Sequence, residues 1–206
     1  MVSAILLAAG ESKRMVRPKL LLPFGSGTIL EQTVDNLLSS RVDEVIVVLG
    51  ARAQEMKEVI ASRPVKVVVN PDYHQGMSIS LVTGLSLVDD KAQRVMVALA
   101  DQPLIAKETY NRLIEGSLAC DKGIIIPTYQ ARRGNPIIFS VRYKGELLGL
   151  KGDFGGRQIL KQHPDDILEV AVDSESINLD INTMDDYLKL ADQEGRQRYA
   201  EESQTR

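Results

Sequence analysis

The residues with the clearest capacity for chemistry lie within the first twenty positions. An apolar run from Ala4 to Ala8 leads into Ala9 and Gly10, and the cations Arg14 and Lys19 follow at short intervals. A buried strand that ends in a loop of small residues exposes backbone N–H groups, and nearby cations neutralise an anion bound there. The spacing is therefore typical of a triphosphate-binding loop. It is equally compatible with a strand, a turn and a basic surface loop.

Two carboxylates are candidate ligands of a magnesium ion. Asp101 follows an apolar run and precedes Pro103, and Asp180 lies near Asn182 towards the end of the chain. Carboxylate oxygens are ligands that Mg²⁺ prefers. The alternative is that Asp101 only turns the chain before Pro103 and that Asp180 and Asn182 are structural. We favour Asp101 as a metal ligand and Asp180 as the second.

A third candidate site is the segment around Gly76, Ser78 and Ser80, which leads into a predicted helix. Its backbone and hydroxyl groups could contact a base or a phosphate, or they could simply form a helix N-terminus. His74 and His163 show no spacing typical of a metal site, and we interpret both as surface residues.

The elements that must position these residues follow an alternating pattern. Short apolar runs, several of them apolar on both faces, alternate with amphipathic stretches, as in parallel strands covered by helices. The predicted strands are 4–8, 45–49, 65–69 and 95–99, and the predicted helices are 29–39, 53–62 and 78–88. This alternation predicts an α/β fold with three α/β/α layers, Rossmann-like, around a mostly parallel, doubly wound sheet.

The pattern changes after residue 100. The predicted elements there are a helix at 106–119, strands at 123–127 and 137–139, helices at 141–149 and 156–162, strands at 167–172 and 177–181, and a helix from near Thr183. The first two of these strands predict an antiparallel hairpin added to the main sheet. Thr183 is a suitable N-cap. We expect one domain over residues 1–192 and a charged, frayed tail over 193–206.

Ligands of open parallel sheets bind at the carboxyl ends of the strands. The small-residue loop, both cations and both candidate metal ligands all follow predicted strands or lie near the end of one. We therefore expect them to meet at a single edge of the sheet.

Composition excludes several classes of protein. The chain has 206 residues, 44% of them hydrophobic, and a formal net charge of -3, which argues against a general nucleic-acid binder. No apolar run approaches the about 20 residues of a membrane span, and the apolar start is too short for a signal peptide. The single cysteine, Cys120, fits a reducing compartment. We expect a cytoplasmic protein with no nucleic-acid or membrane partner.

Three common catalytic motifs are missing from the sequence. There is no G-x-x-x-x-G-K-[ST] motif, which disfavours a P-loop NTPase, and no G-x-G-x-x-G after the first strand, which disfavours a nicotinamide or flavin enzyme. The absence of G-x-S-x-G disfavours an α/β-hydrolase.

The motifs that are present resemble those of nucleotidyltransferases that act on the molybdenum cofactor. Residues 7–19 read L-A-A-G-E-S-K-R-M-V-R-P-K, similar to the family signature L-A-A-G-x-S-x-R-M-G-x-x-K. The resemblance extends in order from residue 3 to about residue 190. It includes Asn70-Pro71-Asp72-Tyr73, Gln75-Gly76-Met77, Asp101-Gln102-Pro103, Gly134-Asn135-Pro136, Gly152-Asp153, and Leu179-Asp180-Ile181-Asn182-Thr183.

The resemblance implies a nucleotidyltransferase fold of the nucleotide-diphospho-sugar transferase type. Because the loop reads Ala8-Ala9-Gly10, it points to the cytidylyl branch of the family. That branch implies transfer of CMP from CTP to the molybdopterin-type molybdenum cofactor, with release of pyrophosphate and with Mg²⁺. A molybdoenzyme or its chaperone would then be a further partner.

The resemblance also implies roles for individual residues. Arg14 and Lys19 would be catalytic, Arg14 on the β- and γ-phosphates and Lys19 on the α-phosphate, where charge neutralisation matters most. The nucleotide-binding residues would be Leu7, Ala8, Ala9, Gly10, Gly76, Ser80 and Asp101. The acceptor-binding residues would be Gly134, Asn135, Asp153 and Arg157, and the metal ligands would be Asp101 and Asp180.

The chain departs from the family pattern at three positions. Val16 stands where the signature has glycine, and Asn182 and Met184 replace Asp and Pro in the closing motif. Two alternatives therefore stay open. One is a cytidylyl- or other nucleotidyltransferase with a sugar or polyol phosphate acceptor, such as methylerythritol phosphate. The other is a non-catalytic carrier of the molybdenum cofactor.

Overall fold

A computed structural model describes residues 1–11, 15, 18–152 and 156–192. The predicted tail over 193–206 lies outside the described residues. The strands are β1 (Val2–Ala8), β2 (Pro23–Phe24), β3 (Gly27–Thr28), β4 (Glu44–Leu49), β5 (Lys66–Val69), β6 (Arg94–Leu99), β7 (Ile124–Tyr129), β8 (Arg132–Arg133), β9 (Ile137–Ser140) and β10 (Ile167–Ala171).

The helices match the predicted ones closely. They are α1 (Ile29–Leu38), α2 (Ala53–Val59), α3 (Met77–Leu85), α4 (Lys107–Leu118), α5 (Lys144–Leu148), α6 (Arg157–Gln162) and α7 (184–192). Short 3-10 turns lie at Lys19–Leu21, Tyr73–Gln75, Val141–Tyr143, Pro164–Asp166 and Glu175–Asn178. In the described part of the chain, no helix is both long and apolar enough to cross a membrane.

The main sheet has the strand order β10-β7-β9-β6-β1-β4-β5, with β8 paired to β7. Strand β1 lies between β4 and β6 and is parallel to both, and β4 with β5 and β7 with β10 are also parallel pairs. Strand β9 is antiparallel to both of its neighbours, β6 and β7. The predicted mostly parallel sheet with an added antiparallel hairpin is confirmed.

Alternate residues of the sheet face two separate apolar cores. On β1, Ala4 and Leu6 pack in the core that contains Leu30 of α1 and Tyr110 of α4. Ile5 packs in the other core, against residues of α3, α5 and α6. Because β1 is buried along its whole length, both faces contribute to the stability of the fold. This is the three-layer α/β/α arrangement that the two-faced apolar strands predict.

Helix α1 begins with a capping box. The Thr28 hydroxyl accepts a hydrogen bond from the Glu31 backbone N–H at 3.3 Å, and the Glu31 carboxylate accepts one from the Thr28 N–H at 2.8 Å. Thr183 caps α7 in the same way, because its hydroxyl accepts from the Asp186 N–H at 3.1 Å and Asp186 accepts from the Thr183 N–H at 2.8 Å. The predicted N-cap at Thr183 is confirmed.

The predicted strand at Ile177–Ile181 is wrong. Residues Glu175–Asn178 form a 3-10 turn, and Leu179 to Asn182 adopt no regular structure. The backbone hydrogen bonds of this segment go to loops, since the Ile177 carbonyl accepts from the Asn135 N–H and the Ile181 N–H donates to the Asp101 carbonyl, each at 3.0 Å. Ile177 and Ile181 are fully buried. The alternating apolar pattern therefore reflects the burial of these side chains and not a β-strand.

Candidate active site

A cavity of about 460 Å³ lies at the carboxyl ends of β1 and β6, as the strand-end rule predicts. We call it the first cavity. It is lined by Leu7, Ala8, Ala9, Gly10, Glu11, Lys19, Leu20, Tyr73, His74, Gly76, Met77, Ser80, Leu99, Ala100, Asp101 and Asn182.

The loop after β1 offers backbone rather than bulky side chains to the first cavity. The Ala100 N–H donates to the Leu7 carbonyl at 3.1 Å, which holds the ends of β1 and β6 together. A Cβ added at Gly10 would meet no atom of the described residues within 4 Å, so their packing does not demand glycine there. The small residue instead leaves open space beside the backbone, as an approaching anion requires.

Lys19 and Asp101 form an ion pair within the first cavity. The Lys19 Nζ donates to the Asp101 carboxylate at 2.6 Å and to the Ile181 carbonyl at 2.9 Å. The two side chains are only 14% and 19% exposed. Because both charges are largely removed from water, each depends on its partner or on a ligand that takes the partner's place.

Helix α1 fixes the loop that carries Asp101. The Thr33 hydroxyl donates to the Ala100 carbonyl at 3.1 Å, and the Asn36 side-chain amide donates to the carbonyls of Pro103 and Ile105 at 2.9 and 3.0 Å. Three backbone carbonyls around Asp101 are therefore held by side chains of a helix that is itself buried against the sheet. The carboxylate is placed by a rigid element.

The wall opposite β6 is formed by the segment that joins β5 to α3. Gly76 begins α3 with a φ of 114°, a left-handed conformation that favours glycine. Asn70 is buried, and its side chain accepts from the Asp72 N–H at 2.9 Å and donates to the Ser80 hydroxyl at 3.0 Å. Asn70 thereby holds both ends of the segment in place beside the cavity.

A second cavity of about 490 Å³ lies on the other side of the loop that follows β6. We call it the second cavity. It is lined by Gln102, Ile126, Arg133, Gly134, Asn135, Ile137, Arg157, Leu160, Lys161, Ile177, Asn178 and Asp180. A Cβ on Gly134 would collide with the Ile177 carbonyl, so glycine is needed there for the close approach of two backbones.

Gln102 lines the second cavity and directly follows Asp101, which lines the first. Its Nε2 donates to the Asp180 carboxylate at 2.6 Å and to the Ile177 carbonyl at 3.2 Å, and the residue is 1% exposed. Burial raises the pKa of Asp180, and so does the charge of Asp101. The Gln102 hydrogen bond and the charges of Lys19 and Arg157 oppose this rise in the pKa. The two carboxylates therefore act on each other although they line different cavities.

The oxygen donors at this edge suit a magnesium ion shared with a ligand. Among the described residues, no group of three or more His, Cys, Asp or Glu side chains is placed to hold a metal ion. Mg²⁺, however, is commonly bound by one or two carboxylates together with substrate phosphates and water. Asp101 and Asn182, which line the first cavity, fit that pattern, whereas Asp180 lines the second cavity and its carboxylate accepts from Gln102.

The residues singled out from the sequence divide between the two cavities. Leu7, Ala8, Ala9, Gly10, Lys19, Gly76, Ser80 and Asp101 line the first, and Gly134, Asn135, Arg157 and Asp180 line the second. Arg14, Val16 and Asp153 lie outside the described residues.

Sequence reasoning gave no site role to several residues of both cavities, although three of them lie in the quoted motifs. They are Tyr73, His74 and Met77 in the first, and Gln102, Arg133 and Lys161 in the second. The signal for the first three was present, because they follow a predicted strand at its carboxyl end. His74 is exposed, as expected of a surface residue, but it lies at the cavity wall.

Comparison with known proteins decides the family. Residues 4–167 match the model of the MobA-like NTP transferase domain. The chain belongs to this family. The MobA-like family assignment confirms both the resemblance found in the motifs and the nucleotidyltransferase fold.

The relatives of this chain are named for more than one activity. Molybdenum cofactor cytidylyltransferase of Escherichia coli K12 is 29% identical, over 97% of this chain and 98% of its own length. Nicotine blue oxidoreductase of Paenarthrobacter nicotinovorans is 32% identical, over 92% and 96%. The crystal structure of Rv0371c from Mycobacterium tuberculosis in complex with manganese is 32% identical, covers 93% of this chain and 98% of its own, and superposes with a TM-score of 0.81.

Proposed function

We propose that the protein transfers CMP from CTP to the terminal phosphate of a molybdopterin-type molybdenum cofactor and releases pyrophosphate. The observation that carries the proposal is the shared wall of the two cavities. Asp101 and Gln102 stand between the small-residue loop with Lys19 and a second cavity edged by Arg157 and Lys161. Two anionic substrates placed on either side of this wall would meet beside Asp101.

The reaction needs positioning and charge neutralisation more than proton transfer. An oxygen of the acceptor phosphate attacks the α-phosphorus of CTP and forms a new P–O bond. The bond from that phosphorus to the oxygen bridging the β-phosphate breaks, and pyrophosphate leaves with its electron pair. Because the attacking phosphate is already ionised, no general base is required, in agreement with a site built from backbone, lysine and carboxylates.

Several residues of the first cavity, together with Asp180 of the second, then have definite tasks. The Ala8 to Gly10 backbone binds the triphosphate, and Lys19 neutralises the α-phosphate as charge builds up there. Asp101 and Asp180 would hold Mg²⁺, which when bound neutralises phosphate oxygens. The manganese in the crystal structure of the 32% identical relative supports use of a divalent metal. Arg14, implied by the signature, would contact the departing phosphates.

The second cavity is the proposed acceptor site. Arg157 and Lys161 supply positive charge for the acceptor phosphate, and Gly134 and Asn135 line the cavity beside them. The relationship to the Escherichia coli cytidylyltransferase, which spans nearly the whole of both chains, favours the molybdenum cofactor over a sugar or polyol phosphate. The product would pass to a molybdoenzyme or its chaperone.

Oxidoreduction is a second candidate, because the relative that is 32% identical is named nicotine blue oxidoreductase. The first cavity supports it less well, since the loop after β1 carries no G-x-G-x-x-G motif for a dinucleotide. The two functions are separable in one assay series.

The test measures pyrophosphate release with CTP, GTP, ATP and UTP, each with Mg²⁺ and with or without the molybdenum cofactor. We expect release with CTP and cofactor together only. Release with methylerythritol phosphate instead of the cofactor would change the acceptor. Binding of both ligands without pyrophosphate release would establish the carrier function, and oxidation of a reduced nicotinamide coenzyme would establish the second candidate.

A further inference from the structure

Asn70 is hydrogen-bonded at every polar group of its side chain and at its backbone N–H. The backbone N–H donates to the Leu49 carbonyl at 2.8 Å, Oδ1 accepts from the Asp72 N–H at 2.9 Å, and Nδ2 donates to the Ser80 hydroxyl at 3.0 Å. Asn70 is 1% exposed and Ser80 is 3% exposed. This buried pair links the end of β5 to the first turn of α3.

The direction of the hydrogen bond to Ser80 is fixed by chemistry. A backbone N–H can only donate, so the atom of Asn70 that faces the Asp72 N–H must be the carbonyl oxygen. The other end of the amide is then the NH₂ group, which can only donate. Ser80 Oγ is therefore the acceptor in its bond with Asn70.

The hydroxyl hydrogen of Ser80 must point away from Asn70. Thr83, one turn further along α3, donates its hydroxyl to the Ile79 carbonyl at 2.8 Å. Within the described residues Ser80 makes no such bond, and it lines the first cavity. A buried hydroxyl normally has a partner for its hydrogen, and the cavity is where that partner can lie.

We propose that Asn70 is a positioning residue that holds the Ser80 hydroxyl as a donor towards the base of the bound nucleotide. The inference rests on the proposed function, in which a nucleoside triphosphate occupies the first cavity. A fixed donor favours a base with an acceptor at that edge. Cytosine presents an acceptor at N3, where uracil, a pyrimidine of the same size, presents an N–H donor.

Discrimination between CTP and UTP then follows from polarity and not from volume. A site built to donate to the correct base leaves two donors facing each other when the wrong base binds. We expect the wild-type protein to bind CTP about tenfold more tightly than UTP, the effect of one unsatisfied hydrogen bond in a buried site.

The test reverses the hydrogen bond without changing the shape of the side chain. In Asn70→Asp the carboxylate still accepts from the Asp72 N–H, but it also accepts from Ser80, so the hydroxyl now offers a lone pair to the cavity. We expect this variant to bind CTP about tenfold more weakly and to lose or invert its preference over UTP. Ser80→Ala should lose the preference as well, and Thr83→Val, the control on the same helix, should keep it.

Binding is measured by titration calorimetry with CTP and UTP in Mg²⁺, on the two single variants, the double variant and the control. In the double variant, Asn70→Asp should change the CTP-to-UTP ratio no further, because its effect passes through the hydroxyl. If Asn70→Asp does not fold, Ser80→Ala alone decides. A wild-type preference for CTP that survives in Ser80→Ala overturns this inference and leaves the proposed function standing. Failure of the wild-type protein to bind either nucleotide overturns both.

Discussion

The two cavities meet at one loop but attract a ligand by different means. The first contains the small residues Ala8 to Gly10, and Lys19 within it is already paired with Asp101 at 2.6 Å. The second is edged by Arg157 and Lys161, and by Arg133, which is paired with Glu169 at 2.7 Å. A ligand that enters a site with a paired charge must replace the interactions of that ion pair. Only ligands of the right geometry do so, and such a site therefore favours selectivity. A cationic edge acts at longer range and depends on salt.

The two halves of the sheet beneath the cavities each combine apolar packing with a carboxylate at the start of a strand. Under the first cavity, β1 and β4 are buried on both faces in apolar packing. Under the second, the start of β7 is tied by Asp166, which accepts hydrogen bonds from Arg142, Tyr143 and the Gly123 N–H. Burial raises the pKa of Glu44 at the start of β4, but its hydrogen bonds with the Asp89 N–H, Lys66 and Ser3 outweigh this and lower the pKa, so carboxylates contribute pH-dependent stability to both halves.

The largest expected effect is a loss of turnover when Asp101, the carboxylate of the shared wall, is replaced, in contrast to replacement of an exposed surface carboxylate. Asp101→Ala should lower turnover by about 1,000-fold, because it removes the proposed metal ligand and the carboxylate that pairs with Lys19. Asp173→Ala, at a 95% exposed side chain, should have no effect. The measurement is pyrophosphate release, with circular dichroism to show that both variants fold. Undiminished release from Asp101→Ala would remove it from the mechanism.

A smaller effect tests how the first cavity uses its cation. Lys19→Ala should lower kcat by about 100-fold and weaken CTP binding far less, because the α-phosphate gains charge on the way to the transition state. Lys57→Ala, at an exposed position on α2, serves as the control. Equal losses in kcat and in CTP affinity would mean that Lys19 only binds the ground state.

The second cavity should respond in the opposite manner. Arg157→Ala should raise KM for the acceptor about tenfold, since a cation at the cavity edge is lost, and leave the Kd for CTP unchanged. Added salt should weaken acceptor binding in the wild-type protein more than in the variant. Arg112→Ala, which removes an exposed cation paired with Asp173, provides the matched control. A loss of CTP affinity in Arg157→Ala would contradict the division of labour.

The smallest effect concerns the ionic support of β7. Burial raises the pKa of Asp166, but its hydrogen bonds with Tyr143, Arg142 and the Gly123 N–H outweigh this and lower the pKa to about 2, from an ordinary value of 3.8. A depressed carboxyl pKa stabilises the fold above the unfolded value, and this contribution disappears as the pH falls from about 4 to about 2.

Asp166→Asn should therefore be less stable at neutral pH by about 1 kcal/mol, allowing for solvent screening, and should match the wild-type protein near pH 2. Urea unfolding at a series of pH values measures the difference, with Asp173→Asn as the control. Curves that run parallel from pH 7 to pH 2 would show that Asp166 does not provide this stabilisation.

The sequence predicted best what depends on burial alone. Runs such as Val45 to Leu49 are apolar on both faces, and this requirement of a covered parallel strand led directly to the three layers. The same logic misled at Ile177 to Ile181, where both isoleucines are buried but the backbone pairs with the loops of Asn135 and Asp101. An alternating apolar pattern indicates which side chains are buried, but it does not indicate the hydrogen-bond partners of the backbone.

The sequence predicted which residues belong to the site, but it did not predict which of them are in contact with each other. Lys19 and Asp101 are 82 positions apart, and their contact depends on the loop that α1 holds in place. The bond from Asn70 to Ser80 and the separation of Asp101 from Asp180 by Gln102 arise in loops, whose conformation no periodicity encodes.

In the proposed function, the first cavity holds the nucleotide and the second cavity holds the acceptor. A crystal structure with Mg²⁺ and a CTP analogue whose α,β-bridge is a methylene group tests it directly. We expect a triphosphate along Ala8 to Gly10 beside Lys19, with the base against Ser80. A nucleotide bound in the second cavity, with its phosphates on Arg157 and Lys161, would contradict it.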